Sequence, residues 1–217
     1  MKIKANNVKN LSDARYFAAK GVEWLSFCFV ESDADYIAPN IAAAMFAWVE
    51  GVQVVGAVDF PTTAAEINEA AKHWGWQGVQ VGMMTSIETV ADIHGITLFK
   101  EFVIERFTNV EALRGMMLPF APFVEAFQLN FAKNGISWSD LQQPEAMISV
   151  TELAHLISQF NVILHIEIEP DAVKDVLTTF PTLKGLAVSG GEEERVGVKS
   201  FDELDDFFDA LEIALAV

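Results

Sequence analysis

The stretch Lys2-Ile-Lys-Ala-Asn-Asn-Val-Lys-Asn-Leu-Ser-Asp-Ala14 joins a short strand pattern to a helix start across a polar tip. Residues 2–6 read as a strand, and a helix follows over about 12–20. Ser12 is the expected N-cap, because its hydroxyl accepts a hydrogen bond from a free N–H of the first helical turn. The tip over residues 6–10 holds three Asn and one Lys, and no glycine.

The same unit recurs along the chain. Further strands are predicted over 24–29, 53–58, 78–81, 97–103, 126–130, 161–166 and 185–188. Helical patterns fall between and after them, over 41–48, 63–74, 87–94, 110–117, 149–159, 171–178 and 201–214. Eight strands, each followed by a helix, predict a single (β/α)8 barrel spanning residues 1–217. The competing layout, a doubly wound open sheet, uses fewer strands and favours a glycine-rich first loop, which residues 6–10 lack. The strands are apolar on both faces, as parallel strands covered by helices should be. No linker, repeat or low-complexity tract marks a second domain.

Composition narrows the class. The chain has 217 residues, 52% of them hydrophobic, long enough to bury a sizeable core without staples. No apolar block reaches membrane-span length, and the N-terminus carries no signal-peptide pattern, so a soluble cytoplasmic protein is expected. One cysteine, Cys28, excludes an intrachain disulfide and a cysteine-based metal cluster. With 31 acidic and 14 basic residues the net charge is −17. Nucleic acid and anionic membranes are therefore poor partners, since both require basic surfaces. Many acids lie on the amphipathic segment 201–215, whose Phe201, Leu204, Phe207, Phe208 and Leu211 have helical spacing, so that cluster reads as a solvated face.

In a barrel of this kind the site lies at the carboxyl ends of the strands. That selects residues 6–10, 28–35, 59–61, 82–85, 105–106, 130–135, 167–170 and 189–194. His165, Glu167 and Glu169 alternate along strand seven. Aimed at one face, they would offer a divalent-metal or acid/base group, against the plainer reading of solvated strand-end acids. Asp59 ends strand three and is a further candidate. Cys28, within Phe27-Cys-Phe29, reads as a small core residue. His73, His94 and His155 lie on helical patterns, where surface roles are the default. Lys4 points inward from strand one, and Lys100 stands beside Glu101 in strand five.

Several short motifs, in order, resemble the phosphoribosylanthranilate isomerase family of tryptophan biosynthesis. Lys2-Ile-Lys with Asn10-Leu-Ser-Asp-Ala is similar to the family's opening KIKICGITNLEDA. Leu25-Ser-Phe-Cys-Phe with Tyr36-Ile-Ala-Pro is similar to its second strand and loop, and Val55-Gly-Ala-Val to its third strand. Gly78-Val-Gln resembles the start of its VVQLHG strand, and Gly135 to Trp138 its GxxxxW segment. Gly185-Leu-Ala-Val-Ser-Gly-Gly-Glu with Gly197-Val-Lys resembles its ending GVDVSSGVE…PGVKD.

The resemblance implies a barrel that carries out an Amadori rearrangement with a cysteine base ending strand one and an aspartate acid ending strand six. Register places Asn6 at the cysteine, Asn7 at the glycine after it, and Asn130 at the aspartate. An asparagine amide hydrogen-bonds but does not transfer protons near neutral pH. The family's substrate-binding arginine after strand two falls on Asp35, where a carboxylate would repel the substrate's carboxylate. Its phosphate site uses paired glycines after strand seven, replaced here by Ile166 and Glu167. The loop after strand eight, Ser189, Gly190 and Gly191, retains the form of an anion site but is followed by Glu192-Glu-Glu194.

The resulting expectation is an isomerase-like barrel whose reaction is lost or diverged, with no cofactor. A small neutral or cationic molecule at the mouth, or a protein partner, is its expected ligand. Two alternatives are a working isomerase of the tryptophan pathway using other residues, and a changed enzyme with an acidic or metal site built on Glu167, His165 or Asp59.

Overall fold

The computed structural model describes residues 1–59, 61–146, 148–190, 193–195 and 198–216. Eight strands close a barrel in chain order: β1 (Lys2–Asn6), β2 (Trp24–Cys28), β3 (Gln53–Val58), β4 (Gly78–Val81), β5 (Thr97–Val103), β6 (Ala126–Asn130), β7 (Val162–His165) and β8 (Gly185–Ser189). Every neighbouring pair is parallel, including the closing pair of β1 and β8, where Lys4 lies opposite Ala187 and Asn6 opposite Ser189. The helices between the strands are α1 (Leu11–Ala19), α2 (Pro39–Phe46), α3 (Ala64–Trp74), α4 (Ile87–Ala91), α5 (Val110–Met117), α6 (Trp138–Leu141), α7 (Val150–Gln159) and α8 (Val173–Thr179), with α9 (Asp202–Leu215) last. All eight predicted strands are present, and the architecture is the expected (β/α)8 barrel.

Local chemistry starts these helices where they are needed. Thr63 and Glu66 form a reciprocal capping box on α3, and Ser137 and Asp140 form another on α6. Asn109 and Ser149 cap α5 and α7 through their side chains. At the first helix the expectation is corrected: the N-cap is Asn10, not Ser12. Its Oδ1 accepts the Asp13 backbone N–H at 2.9 Å, so the helix starts at Leu11 and Ser12 falls inside its first turn. Among the described residues no helix is long and apolar enough to cross a membrane.

Alternation along the strands divides the interior into two zones. Trp24, Val55, Phe99, Ala126, Ile163 and Ala187 point inward and form a dry layer filling the barrel, with the Trp24 and Phe99 rings edge-on at 5.1 Å. Two residues further along, the inward positions become polar. The opposite faces of the strands pack on the helices, with Phe17, Leu25, Phe27, Phe127, Leu164 and Leu186 in that outer core. Helix α9 joins it through Phe207, Phe208 and Leu211, leaving its acids Asp202, Glu203, Asp206 and Asp209 exposed.

Candidate active site at the barrel mouth

The polar zone is centred on Lys4, which points inward from β1 as expected and is fully buried. Its Nζ donates to Asn6 Oδ1, to Gln80 Oε1 at 2.7 Å and to Gln128 Oε1 at 3.0 Å. Three acceptors match the three N–H bonds of an ammonium, but all three are neutral amides. Burial pushes the Lys4 pKa down to about 7, with the Glu101 carboxylate pulling it the other way. The lysine is thus a short-range organiser whose three bonds join β1, β4 and β6.

Asn6, in the register position of the family's cysteine, is 3% exposed. Its Nδ2 donates to Gln128 Oε1 and to His165 Nδ1, both at 3.2 Å. Because an amide nitrogen only donates, His165 Nδ1 must accept, and the ring proton sits on Nε2. Nε2 lies 3.2 Å from Ser189 Oγ and donates to it. Burial first, and then the positive charge of Lys4, push the His165 pKa down to about 3, which agrees with a neutral ring. A directed chain therefore runs from Lys4 through Asn6 and His165 to the Ser189 hydroxyl.

A second branch ends on a carboxylate. Glu101 Oε1 accepts from Gln128 Nε2 and from Asn130 Nδ2, each at 2.8 Å. Asn130, in the register position of the family's aspartate, is 6% exposed, and its Oδ1 accepts the Lys133 backbone N–H at 3.0 Å. Asn6 and Asn130 thus meet at one mouth, as expected, and both amides are committed to bonds that fix their orientation. Glu101 was not among the expected site residues. Its signal was a charged pair, Lys100-Glu101, inside the largely apolar run 97–103.

The loops above this layer carry charge in pairs. Asn7, at the position of the family's glycine, has φ 53°, and among the described residues it alone takes the left-handed region without being glycine. Asparagine tolerates that region better than most residues. Its Nδ2 donates to Asp35 Oδ2 at 2.6 Å, while Lys9 Nζ meets Asp35 Oδ1 at 2.6 Å. Asp35 is thus ion-paired to Lys9 rather than a bare charge over the site. Asp33, two residues earlier, meets Lys133 at 3.1 Å. The Asp35 backbone N–H bonded to its carboxylate is the main cause holding Asp33 below the usual carboxylate range. Since β2 and β6 are opposite strands of an eight-stranded barrel, the Asp33–Lys133 pair spans the mouth.

The other expected residues divide. Asp59 is half-buried and its carboxylate packs against the backbone of Gly82, where any Cβ would clash. Its charge favours the charged form of Lys100, whose pKa burial brings down to about 8. Lys100 does not pair with Glu101: it points the other way and donates to the carbonyls of Gly82, Met83 and Thr85 at 2.7 to 3.1 Å. Cys28 points inward at the end of β2 but is buried, and burial pushes its thiol pKa up.

The alternation of His165, Glu167 and Glu169 does not gather them, because β7 ends at His165. Ile166 turns into the core and both glutamates are exposed, with the Glu167 carbonyl accepting Trp138 N–H at 2.8 Å. Among the described residues no three His, Cys, Asp or Glu side chains come together as metal ligands. Ser189 and Gly190 lie half-buried beside His165, whereas Gly191 is outside the described residues. Trp138 is buried and donates from Nε1 to Asp175 at 3.0 Å, a structural role.

Taken together, fold and site define a (β/α)8 barrel with a polar site where such barrels place their chemistry, at the carboxyl ends of the strands. In sequence the chain is similar to two N-(5'-phosphoribosyl)anthranilate isomerases of Rhizobium etli. With that of strain CIAT 652 it is 26% identical, over 89% of this chain and 86% of the relative. With that of strain CFN 42 it is 28% identical, over 90% and 86%. In structure it is similar to phosphoribosyl anthranilate isomerase from Thermus thermophilus, with a TM-score of 0.74 at 24% identity over 98% of this chain and 99% of that one. The enzyme from Thermotoga maritima gives a TM-score of 0.76 at 20% identity, over 98% of both chains. No protein-family model matches the chain.

Proposed function

We propose that this barrel is a diverged phosphoribosylanthranilate isomerase in which the isomerase reaction has been lost and the mouth serves a different small ligand. The observation that carries the reading is the state of the two catalytic register positions. Asn6 and Asn130 are both amides, both buried, and both fixed by hydrogen bonds to Lys4, His165 and Glu101. A general acid or base has to exchange a proton within reach of the reacting atom, and neither side chain can. The register positions for the substrate's charges also lack the groups that would hold them. Asp35 stands where the resemblance implies an arginine, and Glu167 stands where it implies a phosphate-binding glycine. The acidic composition fits a small-molecule role in the cytoplasm, apart from nucleic acid and membranes.

A second reading is kept by one observation. Glu101 brings a carboxylate 2.8 Å from the Asn130 amide, which on this reading would place the proton-transfer group one strand over from position 130. Complementation of a tryptophan auxotroph lacking the isomerase separates the two. No growth without tryptophan is expected from the well-expressed protein. Growth at the wild-type rate, lost with Glu101→Gln, would establish the second reading.

A further inference from the structure

The polar layer has two open ends. Glu101 is half-buried, and its Oε1 already holds the Gln128 and Asn130 amides. Its Oε2 takes no hydrogen bond among the described residues, so one oxygen of an oriented carboxylate remains available as an acceptor. At the other end, Ser189 Oγ receives the His165 proton and has its own hydroxyl hydrogen to give. The bonds behind each end fix their roles. The Glu101 end accepts, because a carboxylate has only lone pairs. The Ser189 end has its O–H free to donate, with the histidine taking one of the oxygen's two lone pairs.

Charge then selects what suits the accepting end. The Asp35–Lys9 and Asp33–Lys133 pairs cancel in the loops above, with Lys133 also within electrostatic reach of Glu101. Glu105, Glu167 and Glu169, just past the ends of β5 and β7, are exposed and form no ion pair among the described residues. The rim therefore carries surplus negative charge, and the one cation in the floor, Lys4, has all three bonds used within the protein. An anion would face carboxylates, with Lys4 and Lys133 already engaged by partners within the protein. An ammonium would find an open carboxylate oxygen in a negative field.

Resting on the loss of the isomerase reaction proposed above, we infer that the mouth is a binding site for a small hydroxylated amine, with Glu101 Oε2 holding its ammonium and Ser189 Oγ donating to one of its oxygens. Neither residue is needed to hold the barrel closed. Ser189 ends β8, and Glu101 reaches past the filled Trp24–Phe99 layer.

Three matched probes test this by NMR on the isotopically labelled protein: 2-amino-1,3-propanediol, glycerol, which differs by a hydroxyl in place of the ammonium, and glycerol 2-phosphate. The side-chain amide signals of Gln128 and Asn130 report on Glu101 directly. Charge-assisted hydrogen bonds are about twice as strong as neutral ones, so the amine should saturate these signals at about tenfold lower concentration than glycerol. Glu101→Gln should bring the two probes within about twofold of each other, while Glu101→Asp, which keeps the charge, should retain the preference. Ser189→Ala should weaken both probes alike. An amine that binds no better than glycerol, or a preference that survives Glu101→Gln, would overturn the assignment. Tighter binding of glycerol 2-phosphate than of the amine would instead overturn the lost anion site on which the inference rests.

Discussion

Returning an aspartate to position 130 should damage this barrel rather than restore a family-like site. In the native protein Asn130 Nδ2 donates to Glu101 Oε1 at 2.8 Å. Asn130→Asp replaces that donor with a carboxylate oxygen facing another carboxylate. Two unit charges about 4 Å apart repel by about 4 kcal/mol at an effective dielectric of about 20. At about 1.4 kcal/mol per pKa unit, that raises the second ionisation of the pair by roughly three units, so the pair keeps one proton up to about pH 7. The native state then binds more protons than the unfolded chain between about pH 4 and 7. Stability must fall as pH rises through that window, by up to about 4 kcal/mol relative to wild type. Below about pH 4 the deficit shrinks to the lost amide bond, about 1 kcal/mol. Urea unfolding across about pH 4 to 8, read as the midpoint at constant m-value, measures this directly. Parallel wild-type and variant profiles would show that Glu101 does not contact residue 130, and the reading of the site would fail.

Two other variants test the floor of the mouth. Lys4→Met leaves Asn6 Oδ1 and Gln80 Oε1 without their donor, and urea unfolding near pH 7 should show a loss of about 2–5 kcal/mol. Because the Lys4 pKa is lowered from 10.5 to about 7, the unfolded chain binds the extra proton between those values. Wild-type stability should therefore gain a rising contribution over that range, and Lys4→Met should lack it. His165→Gln tests the acid side. With the His165 pKa lowered from 6.5 to about 3, the unfolded chain takes up a proton that the native chain refuses. Its contribution lowers stability as pH falls from 6.5 towards 3, and the variant should show a shallower acid slope, checked by thermal unfolding at matched ionic strength.

Period and alternation carry fold information further than they carry site information. The eight strands were legible because short apolar runs alternate with helical spacing, and residues 6–7 and 130 could be read by register. Asn7, left-handed at φ 53°, takes a conformation that glycine would also take. The inward face of β5 was not legible. Each alternating face of residues 97–103 carries one charge among apolar neighbours, so nothing local tells which of Lys100 and Glu101 enters the barrel, and pairing of Glu101 with Gln128 in β6 decides it. For His165, Glu167 and Glu169 the plainer reading of solvated strand-end acids holds for the two glutamates, since a period of two lasts only as long as the strand and β7 stops at His165. At the first helix, Asn10 and Ser12 are both good caps two residues apart, and composition alone does not rank them. Helix α6, four residues long, is too short for any periodicity to announce it.

The most direct measurement is turnover of N-(5'-phosphoribosyl)anthranilate by the purified protein at high enzyme concentration near neutral pH. With amides at positions 6 and 130 the wild-type chain is expected to form product no faster than in buffer, and the Asn6→Cys, Asn130→Asp double variant is expected to do no better because Asp35 and Glu167 still stand at the positions of the substrate's charges. Saturable turnover by the wild-type chain would contradict the loss of the reaction, and turnover abolished by Glu101→Gln would name the group that carries it.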